Sequence, residues 1–292
     1  MYFHDCGWEG FGIIGLCQET IYTGHMSKTL AALAAGFTRV ISLPQTPWRR
    51  MGTVLKTAEA LKCVYPLKTR YGVIKFDIPN LRTLDTPWNF HKKEPPTIEW
   101  VDRIPKPATL WDIGANAGEF SLYAAKRGIN KVICFEPSPA TYANLCRSKE
   151  LNNFNDSMQV FCMGLTDVVG PKHFYMVNSD AGHSCHNLDP DYVPNSGHVE
   201  TILTFTIDTA IDTLGIDPPQ YIKIDIDGSE EELIRGGQKT LKSGTVKSIY
   251  IEHEGDPDKF DSITNQLADL GFNLKDIYRP THLDYFFAEY IC

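Results

Sequence analysis

The feature that most constrains the fold is the stretch from Pro107 to Pro137, PATLWDIGANAGEFSLYAAKRGINKVICFEP. It begins with a short apolar run that contains an acid, Asp112, and then turns into a loop that starts and ends with glycine, Gly114 to Gly118. Glycine at such a turn lets the backbone pass close to a ligand. An apolar helical pattern follows up to Gly128, and a second buried strand ends in Glu136. The stretch therefore predicts a β-turn-α-β unit, half of a site for a nucleotide-containing cofactor.

The two acids in this unit indicate which cofactor it binds. A dinucleotide site uses G-x-G-x-x-G and holds a pyrophosphate at a helix N-terminus. Here the glycines are spaced G-x-x-x-G, and Asp112 stands two residues before the first of them. Its carboxylate would repel a pyrophosphate but attract the ammonium group of S-adenosylmethionine, while Glu136 could accept hydrogen bonds from the ribose hydroxyls. The alternative is an ordinary α/β turn with a capping acid.

Several sequence blocks resemble the FkbM family of class I S-adenosylmethionine-dependent methyltransferases. The main blocks are WDIGANAGEFSLYAAKRG, VICFEPSPATYANL and YIKIDIDGSEEELIRGG, and CMGLTD, AGHSCH, FTIDTAID and SIYIEHE occur in the same order. The resemblance covers residues 68–290, and Asp227 stands where a glutamate is common. Together with the turn pattern, it implies cofactor contacts at Asp112, Gly114, Ala115, Asn116, Gly118, Glu136, Pro137, Gly164, Leu165 and Asp225.

The alternation of strand and helix patterns predicts the fold class. We expect an α/β, Rossmann-like sheet of seven strands, mainly parallel, with helices on both faces and an antiparallel last strand. His173–Val177 and Val199–Phe205 predict an extra strand pair. The seven predicted strands begin at Thr109, Lys131, Met158, Gln220, Val246, Phe272 and Tyr285. This pattern places a methyltransferase domain at residues 68–292.

Residues 1–67 are predicted to form a small, peripheral N-terminal extension. Helical spacing at Ser27–Thr38 and Trp48–Leu61 predicts two helices, placed as a lid or as a homodimer contact. Met26 is an alternative translation start to Met1. The proline-rich stretch Pro95–Pro107 is interpreted as a linker into the domain. No apolar run approaches the ~20 residues that a membrane span needs.

Charge and cysteine content exclude some classes of function. The net charge is −8, and the sequence has no run of lysine or arginine that could follow a phosphate backbone, so we expect no nucleic acid partner. The eight cysteines contain no C-x-x-C pair. They are typical of the reduced thiols of a cytoplasmic protein.

Acids also gather at the ends of the fourth and fifth predicted strands. Asp225 follows the strand YIKI and is expected to face both cofactor and acceptor. Asp227, Glu230 and His253 are predicted to bind the acceptor, and Glu252 lies beside them in sequence. Helix capping is the alternative for Asp227 and Glu230. Such acids could hold Mg²⁺, but a metal site is not predicted.

A polar loop from Asn178 to His198 contains three histidines and many hydroxyl and amide groups. Such a loop can line a pocket for a hydroxyl-rich acceptor. His183 is a candidate base, as is Asp225, and His186 is predicted to bind the acceptor. A zinc site is disfavoured because no further pair of ligands is suitably spaced.

These features predict an O-methyltransferase that transfers the methyl group of S-adenosylmethionine to a hydroxyl. The resemblance implies a sugar hydroxyl, in a polysaccharide or a glycosylated metabolite, so the partner is a glycan or a small molecule. One alternative is a metal-dependent glycosyltransferase that uses Asp225 and Asp227 as a D-x-D site. Another is a non-catalytic protein that binds the cofactor.

Overall fold

The computed structural model describes residues 31–40, 46–191, 197–279 and 285–292. The chain divides into two compact units, Met1–Cys63 and Val64–Cys292. In the first unit, residues 31–40 form helix α1 and Pro47–Ala60 form helix α2. Residues 1–30, which include the alternative start at Met26, lie outside the described residues. The functional assignment of residues 1–67 and 68–292 stays a prediction.

The remaining elements alternate between strands and helices along most of the chain. In order they are β1 (Cys63–Thr69), β2 (Gly72–Ile78), α3 (Leu81–Lys93), α4 (Pro95–Arg103), β3 (Thr109–Ile113), α5 (Glu119–Arg127), β4 (Lys131–Phe135), α6 (Pro139–Leu151), β5 (Met158–Phe161), β6 (Gly164–Leu165), β7 (Gly170–Met176), β8 (His198–Phe205), α7 (Ile207–Leu214), β9 (Tyr221–Ile224), α8 (Glu230–Arg235), α9 (Gln238–Lys242), β10 (Ser248–Glu254), α10 (Pro257–Asp269), β11 (Asn273–Tyr278) and β12 (Tyr285–Ile291).

The main sheet has seven strands in the order β11-β12-β10-β9-β3-β4-β5. Strand β12 is antiparallel to both of its neighbours, whereas the pairs within β10-β9-β3-β4-β5 are parallel. The predicted fold class is therefore confirmed. The predicted extra strand pair is also present, because β7 and β8 pair antiparallel in a separate three-stranded sheet with β6. The hairpin of β1 and β2 was not predicted as a pair.

Alternating side chains of the central strands divide the core into two halves, one on each face of the sheet. Trp111 and Ile222 pack on the face covered by apolar side chains of α7, α8, α9 and α10. Leu110 and Tyr250 pack on the opposite face, against apolar side chains of α3, α4, α5 and α6. Parallel strands buried on both faces are typical of such a layered α/β fold. The ends of these strands form the edge where ligands bind in open α/β sheets.

The interpretation of Pro95–Pro107 as a linker is wrong, because Pro95–Arg103 forms helix α4. Prolines are tolerated in the first turn of a helix, where the backbone N–H groups have no partner in the helix. The helix is held by burial of Trp100 and Val101. The indole Nε1 of Trp100 also donates a hydrogen bond to Oγ of Ser248, at 2.9 Å.

Two further observations concern cysteines and membranes. The cysteines that the structure describes are free thiols, namely Cys63, Cys134, Cys146, Cys162, Cys185 and Cys292. No helix within the described residues combines the length and the apolar character that crossing a membrane requires.

Candidate active site

The glycine turn after β3 brings three parts of the chain close together. Gly114 has φ +80°, and a Cβ atom there would lie 1.7 Å from the carbonyl oxygen of Asp225. Gly118 has φ +82°, and a Cβ atom there would lie 2.1 Å from Cδ1 of Leu145. The glycines are therefore needed for close approach of the β9 end and of α6. The N–H groups of Gly114 and Ala115 donate to the carbonyl of Phe135, which fixes the turn against β4.

A buried ion-pair group connects the ends of β3 and β9. Lys223 and Asp112 are opposite each other in the parallel ladder. Nζ of Lys223 lies 2.9 Å from Oδ2 of Asp225 and 3.8 Å from Oδ1 of Asp112, and 5.3 Å from the ring centroid of Phe120. The other oxygen of Asp112, Oδ2, accepts a hydrogen bond from the hydroxyl of Ser121. Sequence reasoning missed Lys223, although a lysine inside the apolar strand YIKI was a detectable signal.

This group contains two acidic side chains and one basic side chain. Burial raises the pKa of Asp112, although Lys223 and Ser121 oppose the rise. Burial disfavours the charge on Lys223, but the carboxylates of Asp225 and Asp112 outweigh burial and raise its pKa. One ammonium lies between two carboxyl groups, and Oδ1 of Asp112 is buried without a hydrogen-bond donor among the described residues. This arrangement fits a cationic ligand such as the ammonium group of S-adenosylmethionine.

Glu136, at the end of β4, is fixed by the glycine turn. Its Oε2 accepts from the N–H of Asn116 and its Oε1 from the N–H of Ser138, both at 2.8 Å. The side chain is buried, and burial raises its pKa to about 7 although both backbone donors lower it. Each carboxylate oxygen can accept a further hydrogen bond. Glu136 could therefore also bind ribose hydroxyls, as predicted.

The predicted cofactor contacts Pro137, Gly164 and Leu165 lie just after the ends of β4 and β5. The N–H of Glu136 donates to the carbonyl of Phe161, the last residue of β5. The thiol of Cys162 lies 3.9 Å from the carbonyl oxygen of Pro137. Gly164 and Leu165 then form the short strand β6, in which Leu165 is buried. These contacts bring Pro137 to the segment that leads into β6.

The polar loop that contains His183 is hydrogen-bonded both to the glycine turn and to the residues that follow β9. The amide of Asn116 donates to the carbonyl of His183, at 3.5 Å. The N–H of Cys185 donates to Oδ2 of Asp227, at 2.7 Å, and the amide of Asn187 donates to the carbonyl of Asp227. Burial lowers the pKa of the half-buried His183, and the charge of Arg82 lowers it further. The structure thus connects the loop of His183 to the acids that follow β9.

Asp227 and Glu230 both have partners inside the protein. Asp227 has φ 49°, and burial and the charge of Asp225 raise its pKa to about 7 although the Cys185 N–H lowers it. Glu230 is buried, accepts from the N–H of Gly228 at 2.9 Å, and lies 3.3 Å from Nζ of Lys259. Glu230 is the first residue of α8, and its contacts are not those of a helix cap, because Gly228 precedes the N-cap residue Ser229. Acceptor binding by either residue stays a prediction.

The side chains of His186 and His253 are buried and have hydrogen-bond partners other than the acids that follow β9. His186 is buried; its Nδ1 accepts from the N–H of Val177 at 3.2 Å, and burial lowers its pKa to about 4. His253 lies on the opposite face of β10 from Glu252 in the strand alternation. It is buried against the ring of Phe286 and lies 3.2 Å from the hydroxyl of Tyr290. A role of either histidine in acceptor binding stays untested.

Glu252 is the residue of β10 that extends the acidic edge. The last ladder pair between β9 and β10 is Ile224 with Ile251, so Asp225 and Glu252 follow it on neighbouring strands. Burial raises the pKa of Glu252 well above its ordinary value, and the charges of Asp225 and Glu94 raise it further. Within the described ranges, no group of three or more histidine, cysteine or acidic side chains could hold a metal ion.

Comparison with known proteins identifies relatives of this chain. It is 26% identical over 161 residues to "2-O-methyltransferase NoeI" of Sinorhizobium fredii, and the aligned region covers 51% of this chain and 64% of that protein. It is 25% identical over 148 residues to "Hexuronic acid methyltransferase AglP" of Haloferax volcanii, and the aligned region covers 51% of this chain and 57% of that protein. The chain therefore spans less than two thirds of the length of these relatives.

A solved structure and a family model give the remaining comparisons. The structure of the methyltransferase FkbM from Methylobacillus flagellatus KT has 18% identity and a TM-score of 0.47, with 74% of this chain and 56% of that chain covered. The family model described as "Methyltransferase FkbM domain" matches residues 112–274, more than half of the chain. This match confirms the resemblance and supports S-adenosylmethionine as the cofactor. The chain belongs to the FkbM methyltransferase family.

Proposed function

We propose that the protein transfers the methyl group of S-adenosylmethionine to a hydroxyl oxygen at the edge where β3, β4 and β9 end. The observation that carries the proposal is the buried group of Asp112, Lys223 and Asp225. It has two acidic side chains for one ammonium and an acceptor atom without a donor among the described residues. The cationic cofactor complements both features, whereas a pyrophosphate complements neither. Glu136, beside the glycine turn, accepts hydrogen bonds from the ribose hydroxyls of the cofactor.

We assign the acceptor to the class of sugars and glycans, with a hydroxyl group as the site of methylation. Asp225 and Glu252 end neighbouring strands, and Asp227 lies two residues further along the chain. The oxygens of these carboxyl groups can accept hydrogen bonds from the hydroxyl groups of an acceptor. The printed name of one relative, a 2-O-methyltransferase, supports transfer to oxygen, and that of the other, a hexuronic acid methyltransferase, supports a sugar acceptor. For a hexuronic acid, the proposal is methylation at a ring hydroxyl.

The reaction requires positioning and the removal of one proton. When bound, S-adenosylmethionine supplies an electrophilic methyl group whose bond to sulfur breaks as the acceptor oxygen attacks. The role of the chain is to hold donor and acceptor in line and to take the hydroxyl proton. We assign the proton to His183, whose lowered pKa keeps it neutral near pH 7. Asp225 already holds the Lys223 ammonium, so we assign it the positioning of cofactor and acceptor.

The test is an assay with methyl-labelled S-adenosylmethionine and a panel of glycosides, half of which carry a hexuronic carboxyl. We expect a product with one added methyl group on a ring oxygen, located by fragmentation in a mass spectrometer. Asp225→Asn should lose the product, whereas Asp276→Asn, a change at an exposed aspartate of β11, should keep it. A methyl ester as the product would contradict the acceptor class. Cofactor binding without transfer to any acceptor would favour the non-catalytic alternative.

A further inference from the structure

Helix α1 exposes three large apolar side chains on one face. Leu33, Phe37 and Val40 are 64%, 67% and 61% exposed. Their spacing, with steps of four and three residues, places them on the same side of a helix. Burial of large apolar side chains is the main favourable term in folding and association. An exposed row of this kind therefore indicates a surface that binds another protein or a membrane.

Helix α2 repeats the pattern. Trp48, Met51 and Leu55 are 86%, 58% and 57% exposed, and their spacing of three and four residues again places them on one side of the helix. No residue of α2 is buried. Tryptophan, like tyrosine, is enriched at the boundary between water and the lipid headgroups. We call these six side chains of α1 and α2 the apolar face.

The charge of this segment is opposite to that of the chain. Residues 31–62 contain five basic side chains and one acidic side chain, Glu59, whereas the whole chain has a net charge of −8. The basic residues are Arg39, Arg49, Arg50, Lys56 and Lys62. Basic side chains combined with an exposed apolar row and a tryptophan are typical of helices that lie in the plane of an anionic membrane surface.

We propose that the apolar face of α1 and α2 binds an anionic lipid surface and holds the protein there as a peripheral membrane protein. A second copy of the chain is the competing occupant. If two apolar faces met, the basic side chains of the two copies would approach each other, which is unfavourable. A lipid surface with negative headgroups instead attracts these same side chains. This proposal does not depend on the proposed methyl transfer.

The experiment is co-sedimentation of the full chain with vesicles of phosphatidylcholine alone and of phosphatidylcholine mixed with phosphatidylglycerol. We expect binding to the mixed vesicles at least about tenfold stronger than to the neutral ones, and weaker binding as salt is added. The variant with Trp48→Ser, Met51→Ser and Leu55→Ser should lose about 100-fold or more of the affinity. A matched control replaces Leu81 and Trp88, which are 82% and 63% exposed on α3, by serine and should bind like wild type.

A charge variant, Arg49→Gln with Lys56→Gln, keeps the apolar face and should lose most of the preference for anionic vesicles. Circular dichroism and S-adenosylmethionine binding show whether each variant is folded. Failure of the wild-type chain to bind mixed vesicles would overturn the proposal. So would equal binding to both kinds of vesicle, or a dimer in analytical ultracentrifugation that only the triple serine variant dissociates.

Discussion

The ammonium of Lys223 lies 2.9 Å from Oδ2 of Asp225 and is buried at the end of β9. The same ammonium faces Asp112 on the neighbouring strand β3. Removing one partner of a buried ion pair leaves the other charges uncompensated, which is far more costly than losing an exposed pair. The stability of the sheet edge and the charge of the cofactor site therefore depend on the same side chain.

Lys223→Met should lower the free energy of unfolding by about 3 to 5 kcal/mol, because two carboxylates remain near each other without their cation. The matched control is Lys239→Met, which removes an exposed pair with Asp212 at 3.4 Å and should cost about 1 kcal/mol or less. Urea unfolding measures both values. Equal, small losses would show that the buried group contributes little to stability.

A comparison of Gly114→Ala with Gly128→Ala separates the backbone strain of a positive φ from the steric clash of an added Cβ atom. Both glycines have positive φ, but a Cβ atom at Gly128 meets nothing within 4 Å, whereas one at Gly114 meets the Asp225 carbonyl. We expect Gly128→Ala to cost about 1 to 2 kcal/mol of unfolding free energy. Gly114→Ala should cost clearly more and should also weaken cofactor binding, because the end of β9 must move. If chemical unfolding gave the same loss for both variants, the close approach of β3 and β9 would not be important.

The raised pKa of Glu136 predicts two opposite effects of pH. A carboxyl whose pKa rises from 4.5 to about 7 on folding binds more protons when folded, so its contribution to stability falls as pH rises between these values. A ribose that donates hydrogen bonds to the carboxylate instead favours the deprotonated form. Affinity for S-adenosylmethionine should therefore increase as pH rises through about 7. Calorimetric titrations over this range test this effect, and Glu136→Gln should remove the pH dependence that Glu136 contributes.

His183→Ala should lower the turnover number by about 10²- to 10⁴-fold and leave cofactor affinity nearly unchanged, as expected for a positioned base. Burial lowers the pKa of His183, so the wild-type rate should rise with pH below the ordinary histidine value of 6.5 and then reach a plateau. The control is His173→Ala, at an exposed position of β7. Steady-state kinetics with an identified acceptor give the turnover number and its dependence on pH. An unchanged rate and pH profile in His183→Ala would assign the proton to another group.

The sheet could be predicted from sequence because each central strand is a short apolar run with a glycine or an acid at its end. Helix α4 could not, since Pro95 and Pro96 resemble a linker until the burial of Trp100 is known. Asp112 and Glu136 were predicted as cofactor ligands from their spacing, and that role stays a prediction. Lys223 was missed because its partner Asp112 is 111 residues away in sequence, and only the strand order brings them together.

The alternation of side chains along a strand also explains the positions of Glu252 and His253. Asp225 and Glu252 extend neighbouring strands past the same ladder pair, so position in the sequence placed them at one edge. His253 is adjacent to Glu252 in sequence, and consecutive residues of a strand face opposite sides of the sheet. Its burial against Phe286 follows from this rule. The position of the polar loop that contains His183 depends on hydrogen bonds to Asp227 that no sequence pattern indicates.

The most direct test of the account is calorimetric titration of the purified protein with S-adenosylmethionine and, separately, with a uridine diphosphate sugar in the presence of Mg²⁺. The account predicts that S-adenosylmethionine binds at one site and that Asp112→Asn weakens this binding by about 1.5 to 3 kcal/mol, while the nucleotide sugar does not bind. Binding of the nucleotide sugar, with no heat from S-adenosylmethionine, would contradict the account and favour the glycosyltransferase alternative.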